Sequence, residues 1–353
     1  MCVKKILSLA ASTIKLFIIF ILCTFNSKAV ENNIKHYSND MGILSLMYHR
    51  FDEEKYPSTN IQMNIFIEQI KIIRELNYSF YNPKDLEKNF YIPKIKKKIL
   101  ITIDDAFSSF YNVAWPYLKK EKIPFILFVS TKAIGKQGYM TWDQIKTIEK
   151  EPNAYIGNHS HSHDYLVDFK YEKFLKDIKT ANTIFIDNLG YNPIFFSYPF
   201  GEYSNSIKKF ISDNFEFSFG QHSGVIDINK DPYELPRFPI NEKYGDLKRF
   251  ESLIGLYPLQ FKKLLPEEKY LKSDSNPPKF FVEFFKDQKN LNNINCYSNE
   301  GNIWKKSNVK ILSNTLTIKF KEKFSPRRGR INCSLNDNGK WRWFGVQFSI
   351  QKN

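Results

Sequence analysis

The strongest constraint on the fold is a regular alternation of apolar, strand-like runs with helix-like segments between residues 43 and 255. In the helix-like segments, for example 63–76, apolar residues recur every three or four positions. Strands that alternate with helices form parallel sheets, and about eight such repeats are typical of a (β/α) barrel. The predicted strands are 43–48, 78–81, 98–103, 124–130, 153–158, 194–200, 215–220 and 235–240.

After residue 258 the pattern changes to short β-type runs. We predict a linker at 259–278 and a small antiparallel, sandwich-like accessory domain at 279–353, in which Asp337-Asn338-Gly339 forms a hairpin turn. The predicted fold class is therefore α/β, a distorted TIM-like barrel within residues 30–258 followed by a small antiparallel β domain.

The N-terminus has the layout of a secretory signal peptide, with a basic start, an apolar run at 16–25 and small residues at positions 27 and 29. We predict cleavage near Ala29 and an exported protein that is periplasmic, associated with the cell envelope or secreted. A retained anchor is the alternative, although the apolar run is short for a membrane span of about 20 residues. Cys296 and Cys333 then remain, and two cysteines in an exported chain predict a disulfide bond.

Charge and composition narrow the choice of partner. The 353-residue chain has a formal net charge of +15 at pH 7, but its lysines are scattered and no nucleic-acid-binding motif is present. A basic surface of this kind is better suited to anionic cell-envelope polymers than to DNA. We predict no nucleic-acid partner and no stable membrane span after signal cleavage.

Two predicted strands end in residues suited to metal chemistry. Asp104 and Asp105 follow the strand 98–103, and three histidines follow the strand 153–158, at positions 159, 161 and 163. The carboxyl ends of barrel strands meet at one edge, and imidazole nitrogens and carboxylate oxygens are common ligands of divalent metals. This pattern predicts a metal site, with a histidine-rich surface loop as the alternative.

The motifs "TIDDAF" (102–107), "NHSHSH" (158–163) and "SYPFG" (197–201), in this order, resemble the first three motifs of polysaccharide deacetylases, the NodB-type domains of carbohydrate esterase family 4. The resemblance covers about residues 43–255. It implies a metal-dependent hydrolase that removes N-acetyl groups from an amino-sugar polysaccharide and releases acetate. It also implies that Asp104 is the general base and that Asp105, His159 and His163 hold a divalent metal, with Zn²⁺ expected and Co²⁺ or Ni²⁺ as alternatives.

Further residues are expected to contact the substrate. The resemblance implies that a backbone N–H near Phe200 stabilises the oxyanion, and we expect Tyr198 of the same motif to contribute to substrate binding. His49 ends the first predicted strand and is expected to face the same mouth. Trp142 either stacks on a sugar ring or packs in the core. His161 is expected to lie outside the ligand set.

Two departures from the family pattern carry predictions. Ser197 stands where the third motif usually begins with arginine, so we predict that Arg237 supplies that cation, with an ordinary salt bridge as the alternative. The late motif that supplies the general acid is absent, and His222 is the candidate to protonate the leaving amine, or else to bind sugar hydroxyls. These changes resemble the exported branch that acts on poly-N-acetylglucosamine-like polymers.

The predicted substrate is thus an N-acetylated polysaccharide or cell-envelope glycan. Two other functions stay open from the sequence. One is a catalytically inactive, deacetylase-like carbohydrate-binding protein, and the other is a hydrolase of O-acetyl ester or formamide groups on glycans. The retained Asp104, Asp105, His159 and His163 set argues against the inactive protein.

Overall fold

The computed structural model describes residues 41–352, so the predicted signal peptide at 1–29 lies outside the described residues. All of the described residues belong to one compact unit. Among them, no helix combines the length and apolar character that a membrane crossing requires.

The first part of this unit alternates strands and helices, as predicted. Its strands are β1 (Ile43–Tyr48), β2 (Arg50–Phe51), β3 (Asn60–Ile61), β4 (Ser79–Phe80), β5 (Lys98–Ile103), β6 (Phe125–Val129), β7 (Ala154–Asn158), β8 (Phe195–Ser197), β9 (Phe217–Phe219), β10 (Val225–Ile226) and β11 (Phe238–Pro239). Its helices are α1 (Met63–Glu75), α2 (Lys84–Asn89), α3 (Trp115–Lys120), α4 (Trp142–Glu149), α5 (Tyr171–Leu189), α6 (Asn205–Asn214) and α7 (Leu247–Ile254), and a π-helical turn at Phe110–Ala114 precedes α3.

Nine of these strands form one curled sheet. The order is β10-β1-β5-β6-β7-β8-β9, with β4 paired to β5 and β11 paired to β1. The segment 235–239 bridges β9, at one end of this order, and β1, because Leu235 pairs with Phe219 of β9 and Phe238 pairs with Leu46 of β1. The sheet is therefore a distorted barrel, and the predicted α/β fold class is confirmed.

Burial on both faces explains why the barrel strands have nearly continuous apolar sequences. In β5, Ile99 and Ile101 pack in the cluster that includes α1, whereas Leu100 packs on the opposite face with Phe128. Local capping fixes the helix ends: Thr141 and Gln144 form a reciprocal capping box at the start of α4. The polar strand ends are thus held at one edge of a rigid sheet.

The remaining chain forms two packed sheets. Its strands are β12 (Tyr257–Pro258), β13 (Lys263–Leu265), β14 (Tyr270–Leu271), β15 (Phe280–Glu283), β16 (Asn295–Ser298), β17 (Lys305–Lys306), β18 (Val309–Leu312), β19 (Thr315–Ile318), β20 (Arg328–Asp337) and β21 (Lys340–Ile350). One sheet has the order β12-β21-β20-β16-β17, with β14 also on β21, and the other has the order β13-β15-β19-β18. Val282 of β15 shares one buried cluster with Val346 and Phe348 of β21, so the two sheets form a small sandwich.

One sequence prediction for this region is corrected and two are confirmed. The segment 259–278 is not a linker without strands, because it contributes β13 to one sheet and β14 to the other. The disulfide between Cys296 and Cys333 joins β16 to β20, and Asn338 and Gly339 adopt the positive φ values that the predicted hairpin turn needs. The boundaries of a separate accessory domain stay a prediction.

The β12–β21 sheet packs against the barrel. Gly224, in the loop after β9, pairs with Phe344 of β21. The Trp343 indole N–H donates to Ser223 Oγ at 2.9 Å, and Ser223 Oγ donates to Asn332 Oδ1 at 2.8 Å. The C-terminal sheet, which contains β12, β14, β16, β17, β20 and β21, therefore borders the carboxyl edge of the barrel.

Candidate active site

Backbone strain is concentrated at the carboxyl edge of the barrel. Asp105 (φ 75°), His163 (φ 55°) and Phe200 (φ 59°) adopt left-handed conformations, although none of them is glycine. Such conformations cost roughly 1–3 kcal/mol each and persist only where the surrounding structure enforces them. They follow β5, β7 and β8, so three strand ends converge on one strained centre.

Asp104 is fully buried and held by Arg237. The guanidinium donates from Nη1 to Asp104 Oδ1 at 2.7 Å and from Nη2 to Asp104 Oδ2 at 2.9 Å. Nη2 also donates to Ser197 Oγ at 2.8 Å, and Nε donates to the Gly220 carbonyl at 2.9 Å. Burial pushes the pKa of Asp104 up, but Arg237 and His159 outweigh it and lower that pKa to about 2. The carboxyl group is therefore ionised.

His159 has one ring nitrogen engaged and the other available. Nδ1 lies 2.7 Å from the Ser197 carbonyl oxygen, which only accepts, so Nδ1 carries the proton. Nε2 is buried and has no hydrogen-bond partner among the described residues. Burial, partly opposed by Asp104, lowers the pKa of His159 to about 4, so the ring is neutral near pH 7. A buried lone pair without a partner is costly unless a ligand uses it.

Asp105, His159 and His163 together fit a divalent metal. Asp105 Oδ1 lies 3.1 Å from His163 Nε2 and 3.6 Å from His159 Nε2. One ligand atom from each of the three residues lies within 4.8 Å of the other two. Ligand atoms about 2.0–2.1 Å from a tetrahedral zinc ion are about 3.3 Å apart, so the observed spacing suits such an ion.

His161 points away from this cluster. Its Nδ1 lies 2.9 Å from Thr131 Oγ1, and its backbone N–H donates to Asp177 Oδ1 at 2.9 Å. Asp177 Oδ2 also accepts from the Ser162 N–H at 3.1 Å, which anchors the histidine loop to α5. His161 thus lies outside the three-residue cluster.

The loop at Phe200 is held from the C-terminal sheet. The Gln347 side chain donates from Nε2 to the Phe200 carbonyl at 2.9 Å and to the Gly201 carbonyl at 3.2 Å. Arg330 Nε fixes the other end of this amide by donating to Gln347 Oε1 at 3.0 Å. The Phe200 ring packs edge-on against His163 and stacks on Tyr165, with centroid distances of 4.7 and 4.3 Å. Sequence reasoning missed these contributions, because no local motif marks Gln347, Arg330 or Tyr165.

The two remaining histidines of interest lie in different surroundings. His49 follows Tyr48, whose carbonyl accepts from the Asp104 N–H at 2.9 Å, so the backbone of His49 lies next to the aspartate pair. Burial lowers the pKa of His49, and the charges of Asp104 and Asp105 only partly oppose this. Burial also lowers the pKa of His222, to about 4. The charge of Glu234 opposes this effect, whereas the charges of Lys230, Lys269 and Arg237 add to it. The His222 ring lies against Gly220, and its predicted role as general acid stays a prediction.

Two predicted substrate residues belong to the core. Tyr198 is fully buried, and its hydroxyl donates to the Tyr233 carbonyl at 3.0 Å, so it is unavailable to a substrate and that assignment is corrected. Trp142 begins α4 and packs edge-on against Phe185, with ring centroids 5.8 Å apart. Of its two sequence alternatives, the structure favours core packing over stacking on a sugar ring.

Comparisons with known proteins find similarity to polysaccharide deacetylases. Residues 92–214 match the family model described as polysaccharide deacetylase. A poly-beta-1,6-N-acetyl-D-glucosamine N-deacetylase of Staphylococcus aureus is 22% identical over 227 residues, which cover 60% of this chain and 76% of the relative.

Two solved structures share the barrel fold. The Streptococcus pyogenes deacetylase PplD in complex with acetate superposes with a TM-score of 0.55 at 21% identity, covering 61% of this chain and 99% of that one. IcaB from Ammonifex degensii superposes with a TM-score of 0.53 at 23% identity, covering 61% of this chain and 98% of that one. Both likenesses concern the fold of part of this chain and nearly the whole of each solved chain.

Proposed function

We propose that this chain is a polysaccharide deacetylase that removes N-acetyl groups from a poly-N-acetylglucosamine-like polysaccharide in a metal-dependent reaction. The observation that carries the proposal is the cluster of Asp105, His159 and His163 beside the buried carboxylate of Asp104. The name of the Staphylococcus aureus relative supports the choice of an N-acetylated glucosamine polymer.

Asp105, His159 and His163 would hold the divalent metal, with Zn²⁺ as our first choice and Co²⁺ or Ni²⁺ as alternatives. When bound, the ion supplies Lewis-acid polarisation of the acetyl carbonyl and makes water more acidic. The neutral His159 ring and the carboxylate of Asp105 are the donor types that such an ion needs.

We assign Asp104 the role of general base. Arg237 holds both carboxylate oxygens, which fixes the group in one orientation and leaves Oδ2 3.8 Å from His159 Nε2 at the centre of the site. A carboxylate so placed accepts a proton from the attacking water, while the Phe200 backbone N–H stabilises the oxyanion.

We assign His49 the role of proton donor to the leaving amine. It follows β1, directly beside β5 in the sheet, and the charges of Asp104 and Asp105 act on it. An amine leaves as a neutral molecule only if a proton reaches its nitrogen during bond cleavage. His222 is the second candidate for that step, because the charges that act on it are those of Glu234, Lys230, Lys269 and Arg237 and not those of the aspartate pair.

We also propose that the protein is exported. The basic and apolar N-terminal pattern supports this, and so does the disulfide between Cys296 and Cys333, because disulfides persist in oxidising compartments.

Metal analysis tests the ligand set. We expect His163→Ala to lose most of the bound zinc, because one of three protein ligands disappears. His161→Ala is the matched control from the same loop, and it should bind zinc as wild type does, since His161 contacts Thr131 instead. Equal zinc loss in both variants, measured on purified protein, would contradict the assigned cluster.

The two histidine candidates for the general acid are separated by the leaving group. His49→Ala is expected to lower turnover of N-acetyl substrates by about 10²–10⁴-fold. An activated acetyl ester should be affected far less, since its leaving group departs without a proton. His222→Ala should lower the turnover of both substrates by a similar and smaller factor. Acetate release from each substrate measures these changes. An amide-selective loss in His222→Ala instead would make His222 the acid.

A further inference from the structure

One wall of the active-site mouth is built by the C-terminal sheet. Gln347 of β21 binds the Phe200 and Gly201 carbonyls, and Arg330 of β20 binds Gln347. Arg328, two residues earlier on β20, places its guanidinium 5.3 Å from the centre of the Phe200 ring. The Phe200 ring in turn contacts His163, so a single aromatic ring separates Arg328 from the metal cluster.

This wall has more guanidinium groups than carboxylates to pair with them. Arg328 Nε donates to Glu202 Oε1 at 2.7 Å, but Glu202 is shared with Arg327, whose guanidinium also binds Asp168 at 2.7 Å. Arg330 has no carboxylate within salt-bridge distance among residues 41–352. Three neighbouring guanidinium groups therefore share two carboxylates.

Unused hydrogen-bond donors accompany this excess charge. Arg328 Nη2 is buried and makes no hydrogen bond to any described residue. Of the Arg330 side chain, Nε alone has a partner in the described part of the chain. Burial, and after it the positive charge of Arg328, lowers the pKa of Arg330. Guanidinium groups with free donors and too little counter-charge bind carboxylate and phosphate oxygens well.

We propose that Arg328 and Arg330 form a subsite for an anionic group, a carboxylate or phosphate, on the polysaccharide near the N-acetyl group that is removed. This inference rests on the proposed function and narrows its substrate class to N-acetylglucosamine polymers that carry acidic substituents. The subsite lies across Phe200 from the metal cluster, so the anionic group belongs to a sugar position close to the reacting one.

The test compares matched substrates. A β-1,6-linked N-acetylglucosamine pentamer is assayed for acetate release beside the same pentamer with carboxymethyl groups and with phosphate groups. We expect kcat/KM of the full chain to be about tenfold or more higher for an anionic pentamer, the scale of one charge-assisted hydrogen bond. Arg330→Gln should raise KM for the anionic pentamers much more than for the neutral pentamer, so that most of the preference is lost, and Arg330→Lys should restore part of it. Because Arg330 also supports Gln347, kcat/KM for the neutral pentamer should fall as well, but by a smaller factor.

Controls separate binding from support of the fold. Lys310→Gln removes an exposed charge on β18 and should keep the preference. Gln347→Leu removes the hydrogen bonds that hold the Phe200 loop, so it should lower kcat/KM for all pentamers by a similar factor. The subsite is overturned if wild type shows no preference, if Arg330→Gln behaves like Gln347→Leu, or if Lys310→Gln has the same effect. Calorimetry of each pentamer shows whether the protein binds the anionic pentamers more tightly, even if no acetate is released. The absence of acetate release from every pentamer would refute the proposed function and not the subsite.

Discussion

Asp104→Asn is expected to lose nearly all acetate release, by about 10²–10⁴-fold or more, while it still binds the metal. Asparagine keeps the volume of the side chain and one acceptor for Arg237, but it cannot take a proton from water. The ligand atoms of Asp105, His159 and His163 remain in place in this variant. Metal content and turnover, measured on the same preparation, check this expectation.

Asp105→Asn, at the adjacent position, is the matched control for Asp104→Asn. It should lose metal and activity together, because it replaces a ligand carboxylate. If Asp104→Asn loses the metal and Asp105→Asn retains it, the roles of the two aspartates are reversed.

Arg237→Met is expected to lower both stability and activity. It leaves the buried carboxylate of Asp104 without its cation, and breaking a buried ion pair in this way costs about 3–5 kcal/mol of unfolding free energy. Turnover of amides and activated esters should fall together, because a misoriented Asp104 fails at the water attack that both reactions share. Denaturant unfolding and acetate release measure the two effects.

The double variant Asp104→Asn with Arg237→Met measures the interaction energy between these two side chains. We expect it to regain much of the lost stability, because no unpaired carboxylate remains, but to stay inactive. If the double variant is as unstable as the sum of the single variants, the two side chains do not interact energetically and Arg237 does not position Asp104.

Much of the site was predictable from the sequence, for a local reason. Asp104 and Asp105 directly follow the apolar run of β5, and His159 and His163 lie within one loop after β7. Parallel strands bring such ends to one edge, so motif order and strand pattern together predict the cluster. The hairpin at Asn338 and Gly339 is predictable in the same way, because its conformation depends on adjacent residues.

Other residues required knowledge of long-range packing. Arg237 reaches Asp104 from 133 positions away along the chain, because the segment 235–239 bridges β9 and β1 of the curled sheet. Neither His49 nor His222 has a local signal for the direction of its side chain. The packing of β1 beside β5 brings His49 toward the aspartate pair, whereas the His222 ring lies against Gly220.

Residue type and short spacing were enough to predict the alternation of strands and helices, the strand-end motifs and the cysteine pair. They could not predict that Arg328, Arg330 and Gln347 border the catalytic centre, which follows from the folded chain. A strand pattern shows which residues share a face, but not which surface that face meets. Here that surface is the Phe200 loop, because the C-terminal sheet packs on the carboxyl edge of the barrel.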